Sequence, residues 1–472
     1  MDEPLAVIAT CGGVTSVKEV SMKLSKEHYL QQLRKIVNPE QRAKYYKQFI
    51  DSDVVNLSTA ENVLLLDFYQ ENQIFDELPV ISATDIQYPS VVYGSPEYRQ
   101  SILQFLEQQW SLPIGTITLD DIFVVSGVSA ALECLGFSLF SPGDQVLIPG
   151  PMWYGFPWCF SQRPQMEFIH FPVGENFELS TQNVVDAVEA NPNAKLLVLT
   201  NPQNPLGTNY SKEQIEEIYA YFLGLGSDYH IISDEIYACS QNTNVEGNEF
   251  VSAFGLDAYN IYPTRIHVVW GLSKDFGLSG FRVGCIISKS EQVQESMEGD
   301  ACNRSIAGFS PFGSLNPYML QKLFLSGGEP DPTVANNAIS TYQSSLLPSS
   351  YSIVKDKLDE ALIPYHPNNK GGIFFWIDLS AYLDRVQQTT IEPDPLLCES
   401  LYPPEFNDPN EGKLTRYLRE EAQVLLVRGQ ECFWSEPGWF RLCYTAETSD
   451  KVAQGLDSMI EKLNQLPPSN PN

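Results

Sequence analysis

Four short stretches carry polar groups where apolar runs end. VVSGVSAALE passes from an apolar run into a helical pattern through Ser126, Gly127, Val128 and Ser129. A helix start with unpaired amides, a small glycine and two hydroxyls is a natural phosphate seat, although most such turns merely join a strand to a helix. TNPQNPLGT (200–208) is a twice-proline loop presenting the amides of Asn201 and Asn204. SDEIY sets Asp234 and Tyr237 three residues apart, and GLSKDFGLSGFRVG sets Arg282 eight residues after Lys274. A lone lysine is ordinarily a solvated charge. A lysine accompanied by a phosphate seat, an acid, a phenol, an amide and an arginine is what pyridoxal phosphate requires. The amine joins the cofactor's aldehyde, a carboxylate keeps the pyridine nitrogen protonated, and phenol and amide hold the ring oxygen.

These groups need a scaffold that gathers the ends of strands. Between about residues 120 and 290, the runs DIFVVSG, DQVLIPGP, KLLVLTNP, HIISDEIY, RIHVVWGLSK and VGCIIS alternate with helical patterns. Runs apolar on both faces predict a mostly parallel sheet covered by helices, an α/β domain whose ligands bind at the carboxyl ends of the strands. SAALECLGFSLF (129–140) and SKEQIEEIYAYFLGL (211–225) have helical spacing, the second opened by Ser211 as N-cap.

Beyond about 335 the pattern becomes a long helical stretch, GGIFFWIDL, GKLTRYLREEA, the short runs VLLVR and WFRLCYT, and a last helix from Ser449 to Leu466, which reads as a smaller α+β domain. The expected division is an N-terminal helical segment over 1–60, a large domain over 61–335, a small domain over 336–465 and a flexible tail over 466–472. The N-terminal segment is expected to pack on the small domain or on a partner subunit. PPEFNDPNEG (403–412) reads as a surface loop.

Composition narrows the partners. The chain has 472 residues, 43% of them hydrophobic, and its 29 Lys and Arg against 59 Asp and Glu give a formal charge of −30. That field repels phosphate backbones and anionic lipid surfaces, so neither nucleic acid nor a membrane is an expected partner. No apolar run approaches the ~20 residues that span a bilayer. Nine scattered cysteines without CxxC spacing read as reduced, buried thiols, and five well-separated histidines leave no metal motif. The acidic start lacks a secretory signal, and a cytoplasmic enzyme is expected.

NPxNPxG, DExY and SKxxGxxGxRxG occur in that order, and with them residues 50–460 resemble the fold-type I pyridoxal phosphate enzymes of the aminotransferase class I/II superfamily. The resemblance makes Lys274 the Schiff-base lysine and proton shuttle. It pairs Asp234 with the pyridine nitrogen and sets Asn204 and Tyr237 on the ring oxygen. Arg282 and the amides near Gly127, Val128 and Ser129 then hold the phosphate. In PGPMWYGF, Trp153 matches the aromatic that stacks on the cofactor ring, with Tyr154 the fallback. A planar arginine is the natural fork for a substrate carboxylate, and Arg441 in EPGWFRLCYT sits in what looks like the family's carboxylate-binding motif.

STAENVLLLD and SEPGWFRLCY resemble 1-aminocyclopropane-1-carboxylate (ACC) synthases in particular, where Glu61 matches a motif glutamate. Tyr93 matches a tyrosine that reaches the neighbouring subunit's site and is implicated in ring closure, which implies a homodimer with shared sites. The pattern departs from that branch at Val63, where glutamine is usual, and at Tyr93-Gly94, which lacks the intervening histidine. It departs again at Met152-Trp153, in place of paired tyrosines, and at Gly271, where Ser273 is the substitute for a phosphate-binding serine. The expected reaction begins with Cα deprotonation of an L-amino acid and continues to elimination or replacement at Cβ or Cγ. S-adenosylmethionine or a related amino acid is the expected substrate. Transamination, C–S lysis and a non-catalytic binding role are the alternatives.

Overall fold

The computed structural model describes residues 54–75, 91–299, 320–367, 369–394, 402 and 406–468. Of the N-terminal segment expected to be helical, residues 1–53 lie outside that set. The described remainder is not helical at its start: Val55–Asn56 (β1) pairs in parallel with Val424–Leu425 (β12). β-Branched Val55, paired in register with Val424, favours extension over a helical turn.

Six of the apolar runs form six strands of a seven-stranded sheet: Ile122–Val125 (β2), Gln145–Pro149 (β3), Ala194–Thr200 (β5), His230–Asp234 (β6), Ile266–Gly271 (β7) and Gly284–Ile287 (β8). The seventh, Glu167–Phe171 (β4), escapes the sequence pattern because it is an edge strand, paired only with β3 and mostly half-buried. The order is β2-β8-β7-β6-β5-β3-β4, with β8 alone antiparallel to its neighbours. Leu197, Leu199, Ile231 and Val268 pack into one core on one face. Leu196, Val198, Ile232 and Val269 pack into a second core on the other. Burial on both faces explains why these strands read as unbroken apolar runs, each such side chain contributing roughly 1.5–3 kcal/mol.

Val128–Leu139 (α1) follows β2, and Lys212–Gly224 (α2) follows the loop after β5. Ser211 caps α2 by accepting from the Gln214 amide at 3.1 Å, while Gln214 Oε1 accepts from the Ser211 amide at 3.4 Å.

Beyond β8 lie a short hairpin, Leu325–Ser326 (β9) with Glu329–Pro330 (β10), and helix Leu347–Glu360 (α3). A small antiparallel sheet then has the order β11-β14-β13, from Phe374–Asp378 (β11), Val427–Arg428 (β13) and Trp439–Cys443 (β14). The run VLLVR is thus divided between two partners, β12 turning to β1 and β13 to β14. Part of the expected 403–412 loop is helical, because Asp408 caps Pro409–Glu420 (α4) by accepting from the amides of Asn410 and Glu411. Ser449–Gln465 (α5) closes the fold. The tail expected to be flexible is held through its described part: Arg385 donates to the carbonyls of Leu466 and Pro467, and Gln388 to that of Pro468. No described helix is long and apolar enough to cross a membrane. The six described cysteines are buried and unbridged.

Candidate active site

Strands β2, β5, β6 and β7 run in one direction and end together at Val125, Thr200, Asp234 and Gly271. Antiparallel β8 starts at that same edge, with Gly284 opposite both Val125 and Gly271, so Arg282 arrives there from the opposite chain direction. Gly127 has φ +85°, and a Cβ on it would lie 2.5 Å from Arg282 Nη2. Arg282 is itself left-handed, φ 53° and ψ 49°, and its Nη1 donates to the Ser279 carbonyl at 2.9 Å. The guanidinium therefore lies over the start of α1, where the Val128 and Ser129 amides have no intrahelical acceptor. The Gly127 amide is already spent on the Val125 carbonyl at 2.7 Å. The Ser129 hydroxyl faces the Cys159 thiol. Ser273 is buried and makes no side-chain hydrogen bond among the described residues.

Lys274 sits on the single helical turn Leu272–Asp275 that follows β7. Its Nζ donates to the Ala60 carbonyl at 2.5 Å, and Asn62 Nδ2 donates back to the Lys274 carbonyl at 2.9 Å. Burial lowers the amine's pKa, Glu61 and Cys443 oppose that, and Arg441 and Arg282 reinforce it. Glu61 is fixed by the Ser279 hydroxyl, at 2.8 and 2.9 Å from its two carboxylate oxygens, and its carbonyl accepts from Thr445 Oγ1 at 2.6 Å.

Asp234 ends β6 with its carboxyl buried. Burial raises its pKa to about 7, opposed by the Ile236 amide, the Thr200 hydroxyl and Lys274. The Thr200 hydroxyl donates to it at 3.2 Å. Tyr237, one turn on, is 3% exposed and accepts from Asn204 Nδ2 at 3.4 Å. Asn204 Oδ1 in turn accepts from Arg441 Nη1 at 2.9 Å, Arg441 Nη2 donates to the Ser58 carbonyl at 2.8 Å, and the guanidinium stacks 4.6 Å above the Phe374 ring. Arg441 is 1% exposed, yet its Nε has no hydrogen-bond partner among the described residues. A buried guanidinium with an unspent donor can take up an anion.

Two expected residues make no described contact with the polar groups of this cluster. The Trp153 indole folds over its own loop, within 2.2 Å of where a Cβ on Gly155 would lie, and meets Phe156 edge-on at 5.4 Å. Gly155 leaves that space, and no described contact joins Trp153 to Asp234 or Lys274. Tyr154 lies closer to the polar groups: burial raises its pKa, with the charges of Arg441 and Glu431 acting in opposite directions. Tyr93 donates to Glu298 Oε1 at 3.2 Å, packs on Phe123 and lies beneath Arg99. None of its described contacts reaches Lys274 or Arg441. Ser58, Thr200, Ser279 and Asp275 were not foreseen. Asp275 lies inside the SKDFGLSGFRVG stretch, and its apolar neighbours were the available sign that it is buried.

The donor set fits pyridoxal phosphate. A cradle that any Cβ at Gly127 would fill lies between a guanidinium and a helix start, which suits a phosphate. A buried carboxyl, a phenol with an amide, and a lysine amine of lowered pKa stand on neighbouring strand ends.

Comparison with known proteins agrees. The mouse (Mus musculus) protein described as a probable inactive 1-aminocyclopropane-1-carboxylate synthase-like protein 2 is 28% identical, covering 90% of this chain and 68% of its own. The 1-aminocyclopropane-1-carboxylate synthase 2 of Solanum lycopersicum is also 28% identical, covering 83% and 76%. The aspartate aminotransferase from Thermus thermophilus with maleate shares the fold at TM-score 0.63 and 18% identity, covering 89% and 95%. Residues 53–458 match aminotransferase class I and II, and the chain belongs to this family of pyridoxal phosphate-dependent enzymes.

Proposed function

We propose that the chain removes the Cα proton of an L-amino acid and then eliminates or replaces a heteroatom substituent at Cβ or Cγ, with S-adenosylmethionine or a related sulfur- or oxygen-bearing amino acid as substrate. The observation that carries this reading is the enclosure of Lys274 by Ala60, Glu61 and Asn62. That stretch and the one around Arg441 are the two that resemble ACC synthases, and the tomato ACC synthase is 28% identical. The mouse relative is described as probable inactive. This chain, however, retains Lys274, Asp234, Tyr237, Asn204, Arg282 and Arg441, and that set favours catalysis.

The described contacts support the roles that follow, except those of Trp153 and Tyr93, which rest on the resemblance alone. Arg282 and the Val128 and Ser129 amides hold the phosphate, with Ser273 beside them; Asp234 faces the pyridine nitrogen; Tyr237 and Asn204 face the ring oxygen; and Trp153 is assigned to the ring face. When bound, pyridoxal phosphate supplies the electron sink that makes a Cα carbanion accessible. Arg441 offers its unspent Nε–H and remaining N–H groups to the substrate carboxylate. Lys274, whose pKa burial lowers, is a base nearer neutrality than an exposed lysine and takes the Cα proton. Glu61, anchored on Ser279, lines the substrate side. Tyr93 serves the neighbouring subunit's site in a homodimer.

The test is a spectrophotometric screen of the purified protein with S-adenosylmethionine and a panel of L-amino acids, followed by product identification. Catalytic release of the heteroatom fragment is expected. Stoichiometric loss of the cofactor's near-visible band, restored by a 2-oxo acid, would establish transamination instead.

A further inference from the structure

Asp275 follows Lys274 in sequence and is 0% exposed. Four donors from two other elements converge on its carboxylate, the Cys239 thiol among them. The Cys239 amide and Trp270 Nε1 each donate to Oδ2 at 3.0 Å, and the Ser240 hydroxyl donates to Oδ1 at 2.7 Å. Cys239 and Ser240 lie two and three residues beyond Tyr237, so the carboxylate ties the lysine turn to the turn that carries the phenol.

The chain of bonds continues outward. Ser240 has one proton and gives it to Asp275, so at the 3.2 Å contact with Tyr342 the tyrosine is the donor. Gln343 Nε2 donates to the Cys239 carbonyl at 2.9 Å, and the Gly372 amide to the Ser240 carbonyl at 2.7 Å. Tyr444, three residues past Arg441, donates to the Gly372 carbonyl at 3.0 Å. One buried carboxylate thus sits where the lysine turn, the Tyr237 turn and the elements leading to Arg441 meet.

We propose that Asp275 is a positioning residue for Lys274, holding the amine in fixed relation to Tyr237 and, through Ser240, Gly372 and Tyr444, to the part of the fold that carries Arg441. The role is not direct contact with substrate. It sets where Nζ lies relative to the Ala60 carbonyl and Glu61, which favour its protonated form, while Cys443, Arg441 and Arg282 also face the amine. A loosened turn weakens the first two contacts and lowers the pH at which the lysine-linked cofactor band titrates.

The proposal rests on Lys274 being the cofactor's attachment point, and the experiment separates the two. The near-visible band of the holoenzyme is titrated with pH for wild type, Asp275→Asn and Ser240→Ala, alongside cofactor affinity, kcat, KM and thermal stability. Both variants are expected to lower the band's midpoint by about 0.3 units or more, with Asp275→Asn the larger. They are also expected to lower kcat by roughly tenfold or more at a KM within about threefold of wild type. Ser240→Ala removes one hydroxyl without touching the charge and keeps the test decisive if Asp275→Asn does not fold. Unmoved midpoints and kcat with reduced thermal stability would make Asp275 a fold staple and overturn the proposal. A wild-type protein that binds pyridoxal phosphate without a near-visible band, and in which borohydride fixes no cofactor on Lys274, would instead overturn the assignment of Lys274.

Discussion

Arg441 and Asn204 are joined by a hydrogen bond of 2.9 Å from Nη1 to Oδ1, and the nitrogen of the same amide donates to the Tyr237 hydroxyl at 3.4 Å. The amide's orientation is fixed by this pairing, since a guanidinium can only donate. One side chain therefore connects the arginine assigned to the substrate carboxylate with the phenol assigned to the cofactor ring.

Asn204→Ala is accordingly expected to damage both ends. Loss of a hydrogen bond to a charged group costs about 1.5–3 kcal/mol, which corresponds to roughly a ten- to hundredfold loss in substrate kcat/KM. The near-visible band should shift in the same variant. A rise in KM with an unchanged spectrum would show that Asn204 serves Arg441 alone.

Gly127 tests the phosphate seat. Its φ of +85° disfavours any side chain, and an added Cβ would lie 2.5 Å from Arg282 Nη2. Gly127→Ala is expected to weaken pyridoxal phosphate binding by roughly tenfold or more, from displacement of Arg282 as well as backbone strain of about 1–3 kcal/mol. Arg282→Lys, which keeps the charge but not the planar fork, should weaken binding less than Gly127→Ala does. Equal cofactor affinity in Gly127→Ala and wild type, measured by equilibrium titration, would remove the phosphate from this turn.

Buried acids make the cofactor-free protein sensitive to pH in a specific direction. Burial raises Asp234 and Glu235 to about 7 and Glu411 to about 8. In the unfolded chain all three are ionised well below those values, so above about pH 6.5 the folded state holds more protons and stability falls as pH rises. Below about pH 6.5 the trend is opposed by His230, His267 and His366, whose pKa values burial lowers. Denaturant midpoints of the cofactor-free protein should therefore decline between about pH 6.5 and 8.5. Pyridoxal phosphate, by bringing a protonated nitrogen to Asp234, should stabilise more at the upper end of that range. A flat or rising profile without cofactor would contradict the burial of these carboxyls.

The alternation of apolar runs with helical patterns was sufficient for the sheet and for its strand ends, because residues buried on both faces leave adjacent β-branched pairs such as Ile231-Ile232 and Val268-Val269. The edge strand β4 was not legible, since EFIHF is mostly half-buried and mixes polar with apolar positions. Lys274, Asp234, Tyr237, Asn204 and Arg441 were legible as a set because each belongs to a motif. Their supports were not: Ser58, Ser279 and Ser240 are small hydroxyl residues whose role depends on contacts more than 30 residues away in sequence. The Arg441–Asn204 bond spans 237 residues and has no local signature.

Tyr93 allows the last prediction. Its hydroxyl donates to Glu298, and no described contact carries it towards this chain's own Lys274. If Tyr93 completes the partner's site in a two-fold dimer, Lys274→Ala and Tyr93→Ala damage the same site from different chains. Each variant alone is expected to have little activity. Dissociated and reassembled as an equal mixture, half of the dimers carry one chain of each kind, and in those dimers one site has both residues intact while the other lacks both. About a quarter of all sites are then native, so activity should recover to roughly a quarter of the wild-type value. Recovery requires that Tyr93 and Lys274 of one site come from different chains. If both came from one chain, neither variant could repair the other, and the mixture would stay as inactive as its parts.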